Sequence, residues 1–279
     1  MKEYSSKLPE SSKKFAEDDL GETPERREEA LVQLQEWLAE NPEINANPDP
    51  VSLLYFLRAR KFDVDRTKEN IKNFYKMRFL RAEWYSERNP FDPTIQELLR
   101  IGVFLPLKTK DAENRQIVII RTCAHDPKKH KFSDVLKASK MILDYLMFMD
   151  ETISVHGLNA YFDMSHLKAG HGLQLTPTII KHAVQSWEVY PIRIKLLKFL
   201  MVPSYVIWAL NIFRSFMSAK LKSRMFVSRG TAEDPTILPK ELGGQGESYE
   251  ELAKYWREKI EANVEFFEHL DQYRTTTTT

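Results

Sequence analysis

Eight basic side chains, Arg193, Lys195, Lys198, Arg214, Lys220, Lys222, Arg224 and Arg229, stand in a stretch from Val189 to Ala232 that holds no Asp or Glu in 44 residues. Over the whole chain 41 bases balance 40 acids, so a one-signed block interleaved with Leu, Ile, Phe, Met and Trp is a local arrangement. The chemistry it offers is attraction of anions, and its apolar content points to an anionic, lipidic partner. Arg193 and Lys195 alternate onto one face of an extended segment. Lys220, Lys222 and Arg224 end a helical one, where cations also complement the helix dipole. One strand and one helix separate the two clusters, which allows them to converge. At ~1 kcal/mol per cation near an anionic surface, such a set supplies reversible docking that salt weakens.

Residues for covalent or metal chemistry are sparse. There is no Gly-x-Gly-x-x-Gly after a strand, no Gly-x-x-x-x-Gly-Lys and no Gly-x-Ser-x-Gly, and only nine glycines in all. Cys123 with His125, and His166 with His171, lack a zinc spacing with enough partners and read as loop or surface residues. Asp163, at a strand end, stands where a general base could act in another context. The expectation is a protein with no catalytic residue, no metal and no cofactor. A nucleic-acid partner would need basic and aromatic side chains exposed together for stacking. The near-neutral total charge and a broad apolar helix argue against it.

That helix, Ser204 to Lys222, gathers Asn211, Arg214, Ser215, Ser218 and Lys222 into one polar arc at 100° per residue and is apolar over most of its remaining girth. It requires two apolar neighbours: a core on one side, and a ligand, a bilayer or more protein on the other. The elements around it follow from local signals. Thr23-Pro24-Glu25 and Asp49-Pro50 open helices, a third follows Asp65, and residues 23–100 read as a helical bundle. From Arg115 the grammar changes. Ile117-Val118-Ile119-Ile120 is a buried strand, 133–149 a helix, 158–162 a strand, Thr176-Pro177 a helix start, 196–202 a strand and 225–228 a last strand. This alternation implies βαβ units and a largely parallel sheet. A closing helix starts at the capping box Ser248-Tyr249-Glu250-Glu251.

At 279 residues and 42% hydrophobic content the chain can bury one sizeable core with a helical satellite. One cysteine excludes an intrachain disulfide and fits a reducing compartment. The start has no apolar signal region, so a cytoplasmic protein is expected. The longest apolar run, 199–213, contains Pro203 and is too short to span a bilayer. Residues 1–22 read as a mobile tail. Through Pro48 twelve acids face six bases, read as a solvated acidic face, with docking on the basic block as the alternative. The terminal threonine run, within 273–279, reads as disordered.

Three motifs in order, Phe56-Leu57-Arg58-Ala59-Arg60-Lys61-Phe62-Asp63, Ala160-Tyr161-Phe162-Asp163-Met164 and Leu238-Pro239-Lys240-Glu241-Leu242-Gly243-Gly244, with Tyr190-Pro191-Ile192-Arg193 between the last two, resemble the CRAL-TRIO family. The likeness covers about residues 25–265 and is to the branch containing alpha-tocopherol transfer protein and cellular retinaldehyde-binding protein. It implies an α/β fold: an N-terminal helical domain over 23–100, then a lipid-binding domain over 101–272 with a mostly parallel sheet and a mobile gate helix, Ser204–Lys222. It also implies phosphoinositide binding by Arg193, Lys195, Lys220 and Arg224, with Arg60 at the same cleft. The implied pocket is lined by Ser139, Leu143, Phe162, Ile194 and Leu197, with Val206, Leu210 and Phe213 from the gate. Leu143 stands where the tocopherol protein has a second pocket serine, and Gln185 and Ser186 where it has an apolar pair, which sets tocopherol itself apart. The implied protein is a monomeric carrier of one hydrophobic molecule (a tocopherol, retinoid, carotenoid or similar) that exchanges it at phosphoinositide membranes. The alternative is a membrane-recruited adaptor without cargo.

Overall fold

A computed structural model describes residues 4–230 and 236–275. The helices are α1 (Glu10–Phe15), α2 (Pro24–Glu40), α3 (Pro50–Ala59), α4 (Val64–Leu80), α5 (Ala82–Tyr85), α6 (Pro93–Ile101), α7 (Phe132–Met149), α8 (Thr152–His156), α9 (Ala169–Gln174), α10 (Pro177–Val189), α11 (Ile207–Ser215), α12 (Ala219–Lys222), α13 (Tyr249–Glu261) and α14 (Val264–Asp271). The strands are β1 (Phe104–Pro106), β2 (Gln116–Ile120), β3 (Leu158–Asp163), β4 (Ile194–Leu200) and β5 (Met225–Val227).

Local chemistry starts the helices where the sequence indicates. Thr23 accepts from the Arg26 amide, Asp49 from those of Val51 and Ser52, Thr176 from that of Ile179, and Ser248 and Glu251 form the reciprocal capping box. The sheet runs β1-β2-β3-β4-β5; β2 to β5 are parallel and β1 is antiparallel to β2. Strand β4 begins two residues earlier than its β-branched and apolar content suggests, because a bulge leaves Lys195 between the pairs Leu158↔Ile194 and Asn159↔Leu196. Gly157 makes this approach possible. Its φ is +90°, and a Cβ there would collide with the Arg193 carbonyl.

Three expectations are corrected. Residues 1–22 are not a mobile tail over their described part: α1 continues as one π-helical turn, Ala16–Leu20, and Leu8, Ala16 and Leu20 pack on Val155 of α8. Ser12 meets His156 at 3.0 Å, so this stretch docks through its apolar and hydroxyl side chains, while most acids through Pro48, among them Glu10, Glu17, Asp18, Glu25 and Glu28, stay exposed as a solvated face requires. Nor does the disordered C-terminal tail begin at 273, since Tyr273 packs against the core and the Thr275 hydroxyl donates to the Glu43 carbonyl. Residues 276–279 lie outside the described residues, as do 1–3 and 231–235. Finally, 204–222 is not one helix. A 3₁₀ turn at Ser204–Val206 leads into α11, and Ser218, with extended backbone, restarts the chain by capping Leu221.

The N-terminal and α/β parts are clamped together at Arg58. Its side chain is fully buried and donates to both Glu22 oxygens at 2.6 and 2.7 Å, to Glu151 at 2.6 Å and to Ser154 at 3.0 Å. Burial works against the guanidinium charge, but Glu22, Tyr4 and Glu151 together outweigh it and hold the pKa above the ordinary arginine value.

Candidate functional site

Between the sheet and α11 lies a cavity of about 700 Å³, within the size range of small-molecule sites. Its floor is aromatic. Phe162 of β3 stacks on Phe199 of β4 at 4.4 Å, and Trp187 of α10 closes one side at 6.0 Å from Phe162. Phe213 descends from α11 onto Phe199, edge to face at 5.8 Å. Val206 and Leu210 are buried beneath the same segment, whereas Tyr205 and Trp208, which also border the cavity, are about two-thirds exposed. The two apolar neighbours the helix requires are thus the cavity on one side and the outside on the other. Further apolar side chains, Met201, Phe226 and Val227, are exposed at the same end of β4 and β5. The helix is tied down at its far end, where the Ser218 amide donates to Glu188 Oε1 at 2.7 Å.

Of the residues the sequence assigns to the pocket, Ser139, Leu143, Phe162, Ser186, Val206, Leu210 and Phe213 line this cavity. Gln185, Ile194 and Leu197 do not. On α10 the lining positions are Pro177, Ile180, Ala183, Ser186 and Trp187, and Gln185 falls on the opposite side by helical period. Ile194 and Leu197 are buried in the core farther back along β4. Sequence reasoning missed Trp187, Phe199 and Lys140. Lys140 carried a signal, since with Leu136, Ser139 and Leu143 it makes an i, i+3, i+4, i+7 stripe. Cys123 also borders the cavity, and burial pushes its thiol up to about 12, away from thiolate chemistry. His125 and His171 are buried, not surface, residues. His125 meets Gln174 at 3.1 Å, and His171 meets the His125 carbonyl at 3.0 Å, so the pair orders the loop beside the cavity. Asp163 accepts from the Ser165 amide at 2.9 Å and the Tyr249 hydroxyl at 3.0 Å.

The basic clusters meet at the other end of β4. Helix α11 runs back along the sheet, so α12 and Arg224 arrive beside the start of that strand, and Arg224 donates to the Ile194 carbonyl. Burial first, and then Arg193, Arg115 and Arg224, push the Lys195 ammonium down to about 8. Lys220 is lowered by burial and then by Arg224, Arg60, Arg193 and Lys61, so these cations share one field. Arg60 is half-buried and donates to the Glu188 carbonyl at 3.4 Å. Arg193 is engaged within the fold: it donates to the Val155 carbonyl and pairs with Asp19 at 2.6 Å. Asp19 also pairs with Lys61 at 3.3 Å, and the Arg193 hydrogen bond lowers its carboxyl pKa. Arg115, and Lys61 from the first motif, add to the same field, and neither is assigned to the cleft by the sequence.

A five-stranded, mostly parallel sheet behind a helical bundle, with a cavity under an amphipathic helix, defines an α/β small-molecule-binding architecture. Residues 101–244 match the CRAL/TRIO domain, and residues 23–95 match a Pinta-like UBA domain. The chain belongs to the CRAL/TRIO family, whose proteins bind hydrophobic lipids. Clavesin-1 of Xenopus laevis is 25% identical over 234 residues, covering 81% of this chain and 70% of that protein. Clavesin-2 of Homo sapiens is 24% identical over 250 residues, covering 87% and 76%. The crystal structure of Sfh5 has the same fold with a TM-score of 0.53 at 11% identity, covering 85% of this chain and 98% of that one. These likenesses carry the family; the tocopherol and retinaldehyde branch rests on the motifs alone. Among the described residues no helix is long and apolar enough to cross a membrane.

Proposed function

We propose that the protein is a non-catalytic, cytoplasmic lipid carrier that encloses one small hydrophobic molecule under α11 and exchanges it at membranes bearing phosphoinositides. The observation that carries this reading is α11 with the 3₁₀ turn before it, which together cover the cavity with Val206, Leu210 and Phe213 while turning Tyr205 and Trp208 outward. Burying ~400 Å² of apolar cargo surface contributes about 10 kcal/mol before ordering costs, so release into water is slow and exchange requires the helix to move. A membrane promotes that movement only if it binds the open form better than the closed one. The exposed aromatics provide a differential contact for the bilayer, and the cations at the far end of β4 provide one for anionic headgroups.

Organic extraction of the purified protein followed by mass spectrometry is the direct test. A stoichiometric hydrophobic compound is expected, and a protein that neither retains nor accepts any lipid is instead a membrane-recruited adaptor. Replacing Arg193, Lys195, Lys220 and Arg224 together with Ala is expected to weaken sedimentation with phosphoinositide vesicles by several kcal/mol at ~1 kcal/mol per cation, leaving cargo affinity intact. Unchanged sedimentation would remove the cleft from the docking step.

A further inference from the structure

The apolar lining of the cavity is interrupted by a lysine, Lys140. Lys140 lies on α7 one turn from Leu136 and one turn from Leu143, and all three border the cavity. The residue is only 6% exposed. Its Nζ donates to Ser186 Oγ at 3.2 Å and stands 4.6 and 4.9 Å from the ring centres of Tyr190 and Tyr85. An ammonium has three donors, and among the described residues this one has a single hydrogen bond and no ion pair.

Asp144, whose charge it feels, is already engaged: Arg88 reaches it at 2.6 Å, Arg78 at 3.4 Å and the Tyr190 hydroxyl at 2.8 Å. Arg88 also pairs with Asp271 at 2.6 Å. This cluster therefore sets three buried cations, Arg78, Arg88 and Lys140, against two carboxylates, the buried Asp144 and the partly exposed Asp271. It is one negative charge short. Burial accordingly pushes the Lys140 ammonium down to about 7, with Asp144 offsetting only part of the effect. A hydroxyl or ester ligand would occupy a free N–H without supplying the missing charge, whereas a carboxylate does both.

We propose that the cargo is a lipid with a carboxylate head, which Lys140 binds while the apolar body lies on Phe162 and Phe199 beneath α11. This rests on the lipid-carrier reading and adds to it the chemical class of the cargo. The test titrates the full chain with the fluorescent polyene cis-parinaric acid and with its methyl ester, for the wild type and for Lys140→Met. The acid is expected to bind the wild type roughly tenfold or more tightly than the ester. Lys140→Met is expected to bind acid and ester alike, and retained binding of the ester shows that its cavity is intact. Equal affinities in the wild type, or an acid preference that survives Lys140→Met, would overturn the carboxylate assignment and leave the carrier reading standing. If the wild type binds neither probe and no extractable lipid, both are overturned. The wild-type comparison decides the matter even if the variant does not fold.

Discussion

Arg193 shows how one side chain can serve the fold and a binding surface together. Its charge is answered from 174 positions away by Asp19, a carboxylate in the place that the proposed anionic headgroup would take. Asp19→Asn removes that competitor and is expected to raise affinity for anionic vesicles about fivefold, the worth of ~1 kcal/mol for one cation returned to the surface. Sedimentation with phosphoinositide vesicles reads this directly, and unchanged affinity would leave Arg193 a structural residue. Lys195 makes a prediction about pH. Because its pKa is lowered to about 8, the cation is present below that value and lost above it. Vesicle affinity should therefore fall between pH 7 and 9 in the wild type and fall less in Lys195→Gln. The unfolded chain, with a higher lysine pKa, binds more protons in the window above about 8, so this group also makes the fold more stable as pH rises there. A flat binding profile would exclude Lys195 from the docking set.

Among the elements, α11 is held from beneath by Phe213 on Phe199 and at its end by Glu188 on the Ser218 amide. A helix so placed has to give way along one edge for cargo to pass, and the aromatic contact is what sets its resting position. Phe213→Asp puts a carboxylate over an apolar floor, a cost of about 1–3 kcal/mol on the closed arrangement even with partial hydration. The expected result is cargo release at least several times faster in a stopped-flow dequenching assay, with the far-UV spectrum retained. Wild-type release would show that α11 does not control exit. The break after Ser215 also has a readable cause. Ser218 supplies the cap of a new turn, and serine at a helix start is a local signal that the continuous apolar pattern of 204–222 masks.

Across the whole molecule the two family-matched parts and the N-terminal segment share one buried ionic joint. Glu22, Arg58 and Glu151 come from the segment before α2, from α3 and from the turn before α8, so the joint forms only when all three are assembled. Arg58→Ala would leave buried Glu22 with only the long contact from Arg27 at 3.5 Å, and a loss of about 3–5 kcal/mol is expected. Urea unfolding measures it, and the loss should appear in one transition that includes the bundle and the sheet. A change under about 1 kcal/mol would mean that the joint is held by apolar packing alone.

The sequence by itself determined the helix starts at Thr23, Asp49, Thr176 and Ser248, the order of helical and α/β parts and the family, and it allowed the convergence of Arg193 and Lys195 with Lys220 and Arg224. Those signals are local or pairwise along the chain: a cap is satisfied within three residues, and a strand followed by an antiparallel helix returns its end to the strand's beginning. Only the tertiary structure decided that residues before Gly21 dock on α8, that Asp19 occupies the basic cleft, that a bulge presents Lys195, and that Gln185 turns away from a cavity Lys140 enters. Each depends on which distant surfaces meet and on the space left between them. The periodicity of a segment shows that it has a buried face, but the partner across from that face determines whether a lysine on it finds a carboxylate.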